Sequence, residues 1–308
     1  MASRNGNVDA DSTLADAAVE QALSTAASNL ANVPGAASAK KDDFPTPRPL
    51  KQHGPARIIA VCNQKGGVGK TTTTINLGAA LSEYGRRVLL VDFDPQGALG
   101  VGLGLTPNTI EHTVLSVLLG DVPLPEAVMP TGTDGLDILP SNIDLSGAEI
   151  ALASEISREH TFARVLEPAV PDYDFILVDC QPTLGLLTVN ALAAADSVLI
   201  PLQCEYFALR GIGLLTDIIS KVQGRLNQKL IIEGIVATMY DPRTVHSREV
   251  FETIQSAFKD RVFRTTIGRA IKFSETTAAG IPITDYAPTS AGASSYRQLA
   301  RELIARKY

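Results

Sequence analysis

Residues 63–72 of the chain read NQKGGVGKTT, a glycine-rich stretch that ends in a lysine and two threonines. The apolar run RIIAVC at residues 57–62 precedes it and predicts a buried strand, and residues 73–81 carry apolar side chains at helical spacing. A strand, a glycine-rich loop and a helix in this order are the usual context of a phosphate-binding loop. The glycines admit backbone N–H groups to phosphate oxygens, and the start of the helix favours negative charge. We therefore predict that this loop binds a nucleotide and is not an incidental turn.

The residues of the loop have separate predicted roles. Lys70 is placed to contact the β- and γ-phosphates, and the Thr71 hydroxyl is placed to bind Mg²⁺. Lys65 lies on the wrong side of the loop to serve these phosphates as Lys70 does. It is either a solvated loop lysine or a cation that reaches the nucleotide of a partner subunit, as an arginine finger acts in trans. The predicted nucleotide-binding residues are Lys65, Gly66, Gly67, Val68, Gly69, Lys70, Thr71 and Thr72.

The rest of the chain alternates apolar runs with helical patterns. The apolar runs lie at residues 88–91, 136–140, 174–179, 197–202 and 230–240. This alternation predicts an α/β fold: a doubly wound, mostly parallel sheet of the P-loop NTPase type with helices on both faces. In such sheets the active groups lie beyond the carboxyl ends of the strands. Asp92, Asp94 and Asp179 fall at such ends, so we expect them to lie near the loop.

These aspartates supply the remaining chemistry of the predicted site. Asp179, which follows four apolar residues, has the form of an aspartate that holds Mg²⁺ through its water shell. Asp94 is the better candidate for orienting the attacking water or accepting its proton, and with Lys65 and Lys70 it completes the predicted catalytic set. Asp92 is either a further Mg²⁺ ligand or a structural residue.

The first 52 residues differ in composition from the rest. They are rich in Ala, Ser, Asn and Asp, contain Phe44 as their only aromatic residue and end in a proline-rich segment. We predict a disordered extension at residues 1–52, with a weak helix near residues 13–30, and one P-loop ATPase domain at residues 53–308. The extension is either a passive tail or an arm that binds a partner.

Composition favours a cytoplasmic protein. The apolar fraction, 45%, is enough for a sizeable core. The longest apolar runs fall far short of the ~20 residues of a membrane span, and the N-terminus lacks a signal-peptide pattern. Cys62, Cys180 and Cys204 are isolated within or beside apolar runs, without the spacing of a metal site, so we predict that they are small core residues.

Several further motifs resemble the ParA/Soj family of partition ATPases. They are DFDPQG at residues 92–97, PSNIDL at 140–145, VDC at 178–180 and PLQCEYF at 201–207, beside KGGVGKTT, which resembles the deviant Walker A loop. The resemblance runs from about residue 57 to residue 308. It implies ATP and Mg²⁺ as cofactors, an ATP-dependent homodimer in which Lys65 reaches the partner's nucleotide, and a ParB-like centromere-binding partner. It also matches Asp94 with the hydrolytic aspartate and Gly66 with a glycine at the dimer interface. The family usually has DCPP where this chain has DCQP, so Gln181 raises a question about the kinetics of that loop.

The distribution of charge tests the DNA binding that this resemblance implies. Residues 221–308 hold 14 Lys and Arg against 8 Asp and Glu, whereas residues 1–220 hold 13 against 25. A basic C-terminal third is the expected footprint of phosphate contacts, or else a solvated basic face. By the resemblance, Arg243 matches a DNA-contacting arginine and Lys272 stands where the family has a second one; a lysine keeps the charge but loses the bidentate fork. Arg248 is a plausible further contact. We expect binding to double-stranded DNA that is nonspecific and strongly salt-dependent.

Other functional classes are less well supported by the sequence. A membrane-cycling ATPase resembling MinD would need an amphipathic basic helix at its C-terminus. Residues 296–308 are helical in pattern, but the apolar side with Leu299, Leu303 and Ile304 lacks large aromatics, so we predict a docked helix and no membrane contact. The sequence thus predicts a cytoplasmic, nucleoid-associated ATPase that dimerises with ATP and acts in chromosome or plasmid segregation. The alternative is a paralogue that positions cell division through protein or membrane partners.

Overall fold

The structure is a computed structural model that describes residues 8–36, 44–205 and 211–306, with the backbone alone at residues 8–16. Its strands are β1 (Arg57–Val61), β2 (Val88–Phe93), β3 (Met129–Pro130), β4 (Leu136–Leu139), β5 (Phe175–Cys180), β6 (Ser197–Gln203) and β7 (Ile231–Thr238). Its helices are α1 (Val8–Asn29), α2 (Lys70–Glu83), α3 (Ala98–Gly102), α4 (Val114–Leu119), α5 (Leu124–Ala127), α6 (Ala148–Ala151), α7 (Thr161–Leu166), α8 (Leu186–Ala194), α9 (Ile212–Arg225), α10 (Val245–Phe258), α11 (Lys272–Ala279), α12 (Ile283–Tyr286) and α13 (Ala291–Ala305).

The strands form one sheet in the order β3-β4-β2-β5-β1-β6-β7. Every neighbouring pair is parallel except β3 and β4, which are antiparallel. The central strands are buried on both faces, which explains their continuous apolar sequences. The predicted fold class is confirmed, and each of the five predicted apolar runs corresponds to a strand.

Alternate residues of each strand pack into two separate layers. Ala60, Val91 and Val178 point into the layer that contains α1, α8, α9 and α10, whereas Ile59, Leu90 and Leu177 point into the layer with α2 and α13. Helix α13 packs on α2, with Tyr296, Leu299 and Leu303 fully buried. The prediction of a docked C-terminal helix is therefore confirmed. No helix within the described ranges has both the length and the hydropathy to cross a membrane.

The N-terminal extension corrects one prediction. Over residues 8–29 the chain forms α1 where disorder was predicted, and Val19, Leu23, Ala26 and Leu30 make a buried stripe against α9 and α10. Alanine-rich sequence favours a helix, and the stripe has helical spacing, so tertiary packing stabilises what composition alone marks as disordered. The weak helix predicted near residues 13–30 lies within α1. Residues 1–7 and 37–43 of the predicted extension lie outside the described residues.

Candidate nucleotide-binding site

The glycine-rich loop connects the end of β1 to the start of α2 at the carboxyl edge of the sheet. Gly67 and Gly69 have φ angles of 74° and 89°, in the left-handed region that favours glycine. A Cβ atom on Gly67 would meet nothing within 4 Å, so the space beside this residue is open. The carbonyl of Val68 accepts a hydrogen bond of 2.8 Å from the Thr238 hydroxyl, which fixes the loop against the end of β7. The loop therefore has the shape and the support of a phosphate site.

Lys70 and Asp179 lie buried beneath this loop. Lys70 is 7% exposed, and its Nζ lies 3.4 Å from the carbonyl oxygen of Lys65. Asp179 is 1% exposed, and neither carboxylate oxygen forms a hydrogen bond with the described residues. Burial raises the pKa of Asp179 to about 7, while the nearby Thr71 hydroxyl and the Lys70 ammonium oppose this rise. An unpaired buried carboxylate is costly and marks a site that a ligand completes. Beside a threonine hydroxyl, it fits a hydrated Mg²⁺ ion.

Asp92 pairs directly with Asp179 across β2 and β5 but has a different environment. It is fully buried, and its oxygens accept backbone N–H groups from Asp94 at 3.3 Å, Leu99 at 3.1 Å and Gly100 at 3.2 Å. Burial raises the pKa of Asp92 well above its ordinary value, and the charge of Asp179 adds to the rise. These contacts hold the start of α3 to the sheet, so of the two roles left open by the sequence, they favour the structural one.

Asp94 lies in the turn after β2 and is only partly buried. One of its oxygens accepts the N–H of Gln96 at 3.0 Å, which fixes the turn. Because Asp92 pairs with Asp179 and Phe93 with Cys180, Asp94 follows at the same edge of the sheet, and its charge raises the pKa of Asp179. The structure therefore brings together Lys70, Thr71, Asp94 and Asp179, as the sequence predicts. Gln181, which follows β5, is partly buried.

Lys65 contacts a pair of residues that the sequence did not single out. Its Nζ donates to Oε1 of Gln203 at 3.1 Å and lies 3.7 Å from Oε2 of Glu205. Glu205 also pairs with Arg269 at 3.4 Å. Both residues fall in the PLQCEYF motif, so their position at the carboxyl end of β6 was the available signal.

A cavity of about 400 Å³ adjoins the loop on the side of β7. It is lined by Gly69, Thr72, Thr238, Met239, Ile267, Gly268, Arg269, Ala270, Phe273, Ser274, Thr277 and Tyr296. Its mixed apolar and polar lining and its size suit the base and ribose of a nucleotide whose phosphates occupy the loop. Sequence reasoning missed this cavity because its walls come from segments that only the fold brings together.

The three predicted DNA contacts are exposed in this structure. Arg243, whose side chain is 87% exposed, forms two hydrogen bonds of 2.9 Å with Asp241, and these contacts lower the pKa of Asp241 to about 2. Arg248 on α10 and Lys272 at the start of α11 are also exposed. A β-bridge between Tyr240 and Gly268 joins the segments that carry Arg243 and Lys272.

Comparisons with known proteins agree with this geometry. An AAA domain family matches residues 56–232. The sporulation initiation inhibitor protein Soj of Bacillus subtilis is 48% identical over 249 residues, which cover 81% of this chain and 98% of that protein. The chromosome partitioning protein ParA of Myxococcus xanthus is also 48% identical, over 81% of this chain and 88% of its own. The chain belongs to the ParA/Soj family of P-loop ATPases. The chain is also similar to a solved structure of cobyrinic acid a,c-diamide synthase from Mycobacterium smegmatis with bound ADP and magnesium (TM-score 0.72, 43% identity, 81% of this chain and 94% of that chain).

Proposed function

We propose that this protein is a Mg²⁺-dependent ATPase that dimerises with ATP, binds double-stranded DNA nonspecifically and acts in chromosome or plasmid segregation. The observation that carries the proposal is the unpaired, buried Asp179 beside Lys70 and Thr71 under the glycine-rich loop. Relatives named for chromosome partitioning support the segregation role, and the ADP and magnesium in a related structure support the cofactors.

The chain's own residues divide the work of nucleotide hydrolysis. The N–H groups of residues 66–72 and the Lys70 ammonium would bind the phosphates, and Thr71 and Asp179 would hold Mg²⁺, Asp179 through water. When bound, Mg²⁺ neutralises the charge that develops on the phosphate oxygens. Asp94, partly exposed at the edge of the site, orients the attacking water. Lys65 reaches the nucleotide of the second subunit, so that ATP joins two copies.

Dimerisation converts the nucleotide state into DNA affinity. Arg243, Arg248 and Lys272 contribute phosphate contacts, and two copies double the number of these contacts. Arg243 must first leave or share Asp241, to which it is bound in the free protein. Hydrolysis then separates the subunits and releases DNA. A ParB-like protein on the centromere would stimulate this step, and the protein would be nucleoid-associated in the cell.

Binding to unrelated duplex DNA, measured with ATP, with ADP and without nucleotide across a salt series, tests the proposal. We expect binding with ATP only, with affinity that falls as salt rises. Arg243→Glu should dimerise normally but bind DNA more weakly, with a salt slope smaller by about one to two phosphate contacts. Arg225→Glu, an exposed substitution at the end of α9, is the charge-matched control.

Two further results would redirect the proposal. DNA binding that is equal in every nucleotide state would show that ATP does not control it. ATP-driven dimerisation with no DNA binding would show that the basic residues form only a solvated surface. The remaining proposal would then be a role in positioning cell division through other partners.

A further inference from the structure

Lys65 is bound within its own subunit in this structure. Its side chain, 33% exposed, donates to Gln203 and lies beside Glu205, at the end of β6. A second connection reinforces this arrangement: Asn63 donates to the carbonyl of Pro201 at 2.7 Å and accepts the backbone N–H of Lys65 at 3.0 Å. The first part of the loop is therefore attached to β6 on both its backbone and its side chain.

The charges around Lys65 are arranged for a weak contact. Glu205, whose side chain is 44% exposed, is shared between Lys65 and Arg269. An exposed ion pair contributes little in water, and sharing the carboxylate with a second cation weakens it further. Gln203 is the closer partner, but it is neutral and offers a single hydrogen bond. Such a contact positions the lysine while leaving it easy to release.

We propose that Gln203 and Glu205 are positioning residues that hold Lys65 in its own subunit, and that ATP-driven dimerisation must break this contact. The inference rests on the proposed role of Lys65 across the dimer interface. Lys65 then has two alternative sets of partners, and whatever weakens the first set favours the second. When ATP is absent, the contacts of Lys65 with Gln203 and Glu205 disfavour the dimer, because no phosphates are present to compensate for the loss of these contacts.

Two isosteric substitutions test this with opposite signs. Glu205→Gln removes one carboxylate from Lys65, so it should lower the protein concentration at half-dimerisation roughly threefold. Gln203→Glu adds a carboxylate at the closer position and should raise this concentration by at least the same factor. A merely structural role would shift both variants in the same direction. Glu126→Gln, an exposed substitution on α5, is the control. Dimerisation is measured by light scattering with Mg²⁺ and a slowly hydrolysed ATP analogue.

Acylation of Lys65 in the nucleotide-free protein, followed by mass spectrometry, provides a second readout that needs no dimer. Lys65 should react faster in Glu205→Gln and slower in Gln203→Glu, with Lys229 as the internal reference in each sample. Equal acylation rates of Lys65 in all variants would show that Gln203 and Glu205 do not hold this lysine. If the wild type does not dimerise while the acylation rates differ as expected, the proposed dimerisation is wrong, but the contact of Lys65 with Gln203 and Glu205 is confirmed. If the wild type dimerises and both variants have the same concentration at half-dimerisation, the contact of Lys65 with Gln203 and Glu205 has no role in dimerisation.

Discussion

Asp174 and Asp179 stand at opposite ends of β5, and both side chains are buried. At the amino edge of the sheet, Asp174 accepts hydrogen bonds from His53 Nδ1 at 2.7 Å, the Gly54 N–H at 3.0 Å and the Arg87 N–H at 2.8 Å. At the carboxyl edge, neither oxygen of Asp179 has a hydrogen-bond partner among the described residues. The hydrogen bonds of a buried carboxylate therefore distinguish one that holds the fold from one that awaits a ligand.

The two edges of the sheet differ in the same way beyond this pair. The N-terminal extension covers part of the amino edge, where Pro34 and Ala36 exchange backbone hydrogen bonds with Ile232 at the start of β7. His53 and Gly54, which directly follow the extension, bind Asp174. The carboxyl edge carries the glycine-rich loop and a cavity of about 400 Å³, whereas the amino edge has a smaller cavity of about 210 Å³ beside Asp174. Stability is thus concentrated at one edge and ligand chemistry at the other, and substitutions at each edge should separate these properties.

A substitution at the carboxyl edge should have the strongest consequence. Lys70→Ala removes the charge-assisted contact to the phosphates, so ATP affinity should fall about 100-fold, or about 3 kcal/mol. The free energy of unfolding should change much less. Titration with a fluorescent ATP analogue, beside urea unfolding, measures the two quantities. Lys229→Ala, at an exposed lysine, is the control. Unchanged ATP affinity would contradict the assignment of the loop.

Asp174→Ala should produce the converse result. It leaves the partly buried N–H groups of Gly54 and Arg87 without their acceptor, which should cost about 3 kcal/mol of unfolding free energy. ATP affinity of the folded protein should stay within about twofold, because Asp174 lies at the far edge of the sheet. Asp172→Ala, two residues away and exposed, is the matched control for urea unfolding. Equal unfolding free energies of the two variants would show that the hydrogen bonds of Asp174 do not stabilise the fold.

The phosphate loop and the nearby aspartates could be predicted from the sequence because each is marked by a short, local motif. A phosphate loop needs glycines, a lysine and a threonine at fixed spacing, and aspartates at strand ends meet there in any parallel sheet. The partners of Asp174 could not be predicted, since His53 lies 121 positions away and only the fold brings the two together. The cavity beside the loop was missed for the same reason. The prediction of disorder in the extension was wrong because composition alone does not show that its apolar stripe packs against α9 and α10.

The pH dependence of stability should reveal the unpaired carboxylate directly. Burial raises the pKa of Asp179 from 3.8 to about 7, so the folded protein binds a proton that the unfolded chain loses near pH 4. Stability should therefore fall as pH rises from about 4 to about 7, and the loss is complete above pH 7. Asp179→Asn should remove this part of the dependence and raise the unfolding free energy at pH 8 by up to about 4 kcal/mol, since each pKa unit corresponds to about 1.4 kcal/mol. The raised pKa of Asp92 acts in the same direction and persists in the variant.

Urea unfolding of the nucleotide-free protein between pH 4 and pH 8 measures this effect. The same variant should lose Mg²⁺-dependent hydrolysis, so it would be more stable and less active. Removal of Mg²⁺ with EDTA should abolish hydrolysis in the wild type. An Asp179→Asn protein that is less stable than the wild type at pH 8 would mean that Asp179 is paired after all.

The smallest expected effect concerns the extension that covers part of the amino edge. Arg261 donates to the carbonyls of Leu30 and Val33, each at 2.8 Å, and thereby connects the segment that follows α1 to the segment that follows α10. Arg261→Ala should cost about 1 kcal/mol, since the net contribution of two such hydrogen bonds is modest. Hydrogen exchange should become faster in residues 8–36, while ATP affinity stays unchanged; Arg248→Ala on α10 serves as the control. If exchange stays slow, the apolar stripe alone holds α1 in place. If ATP affinity falls together with protection, the two edges of the sheet are coupled, and the separation seen between Asp174 and Asp179 does not extend to the extension.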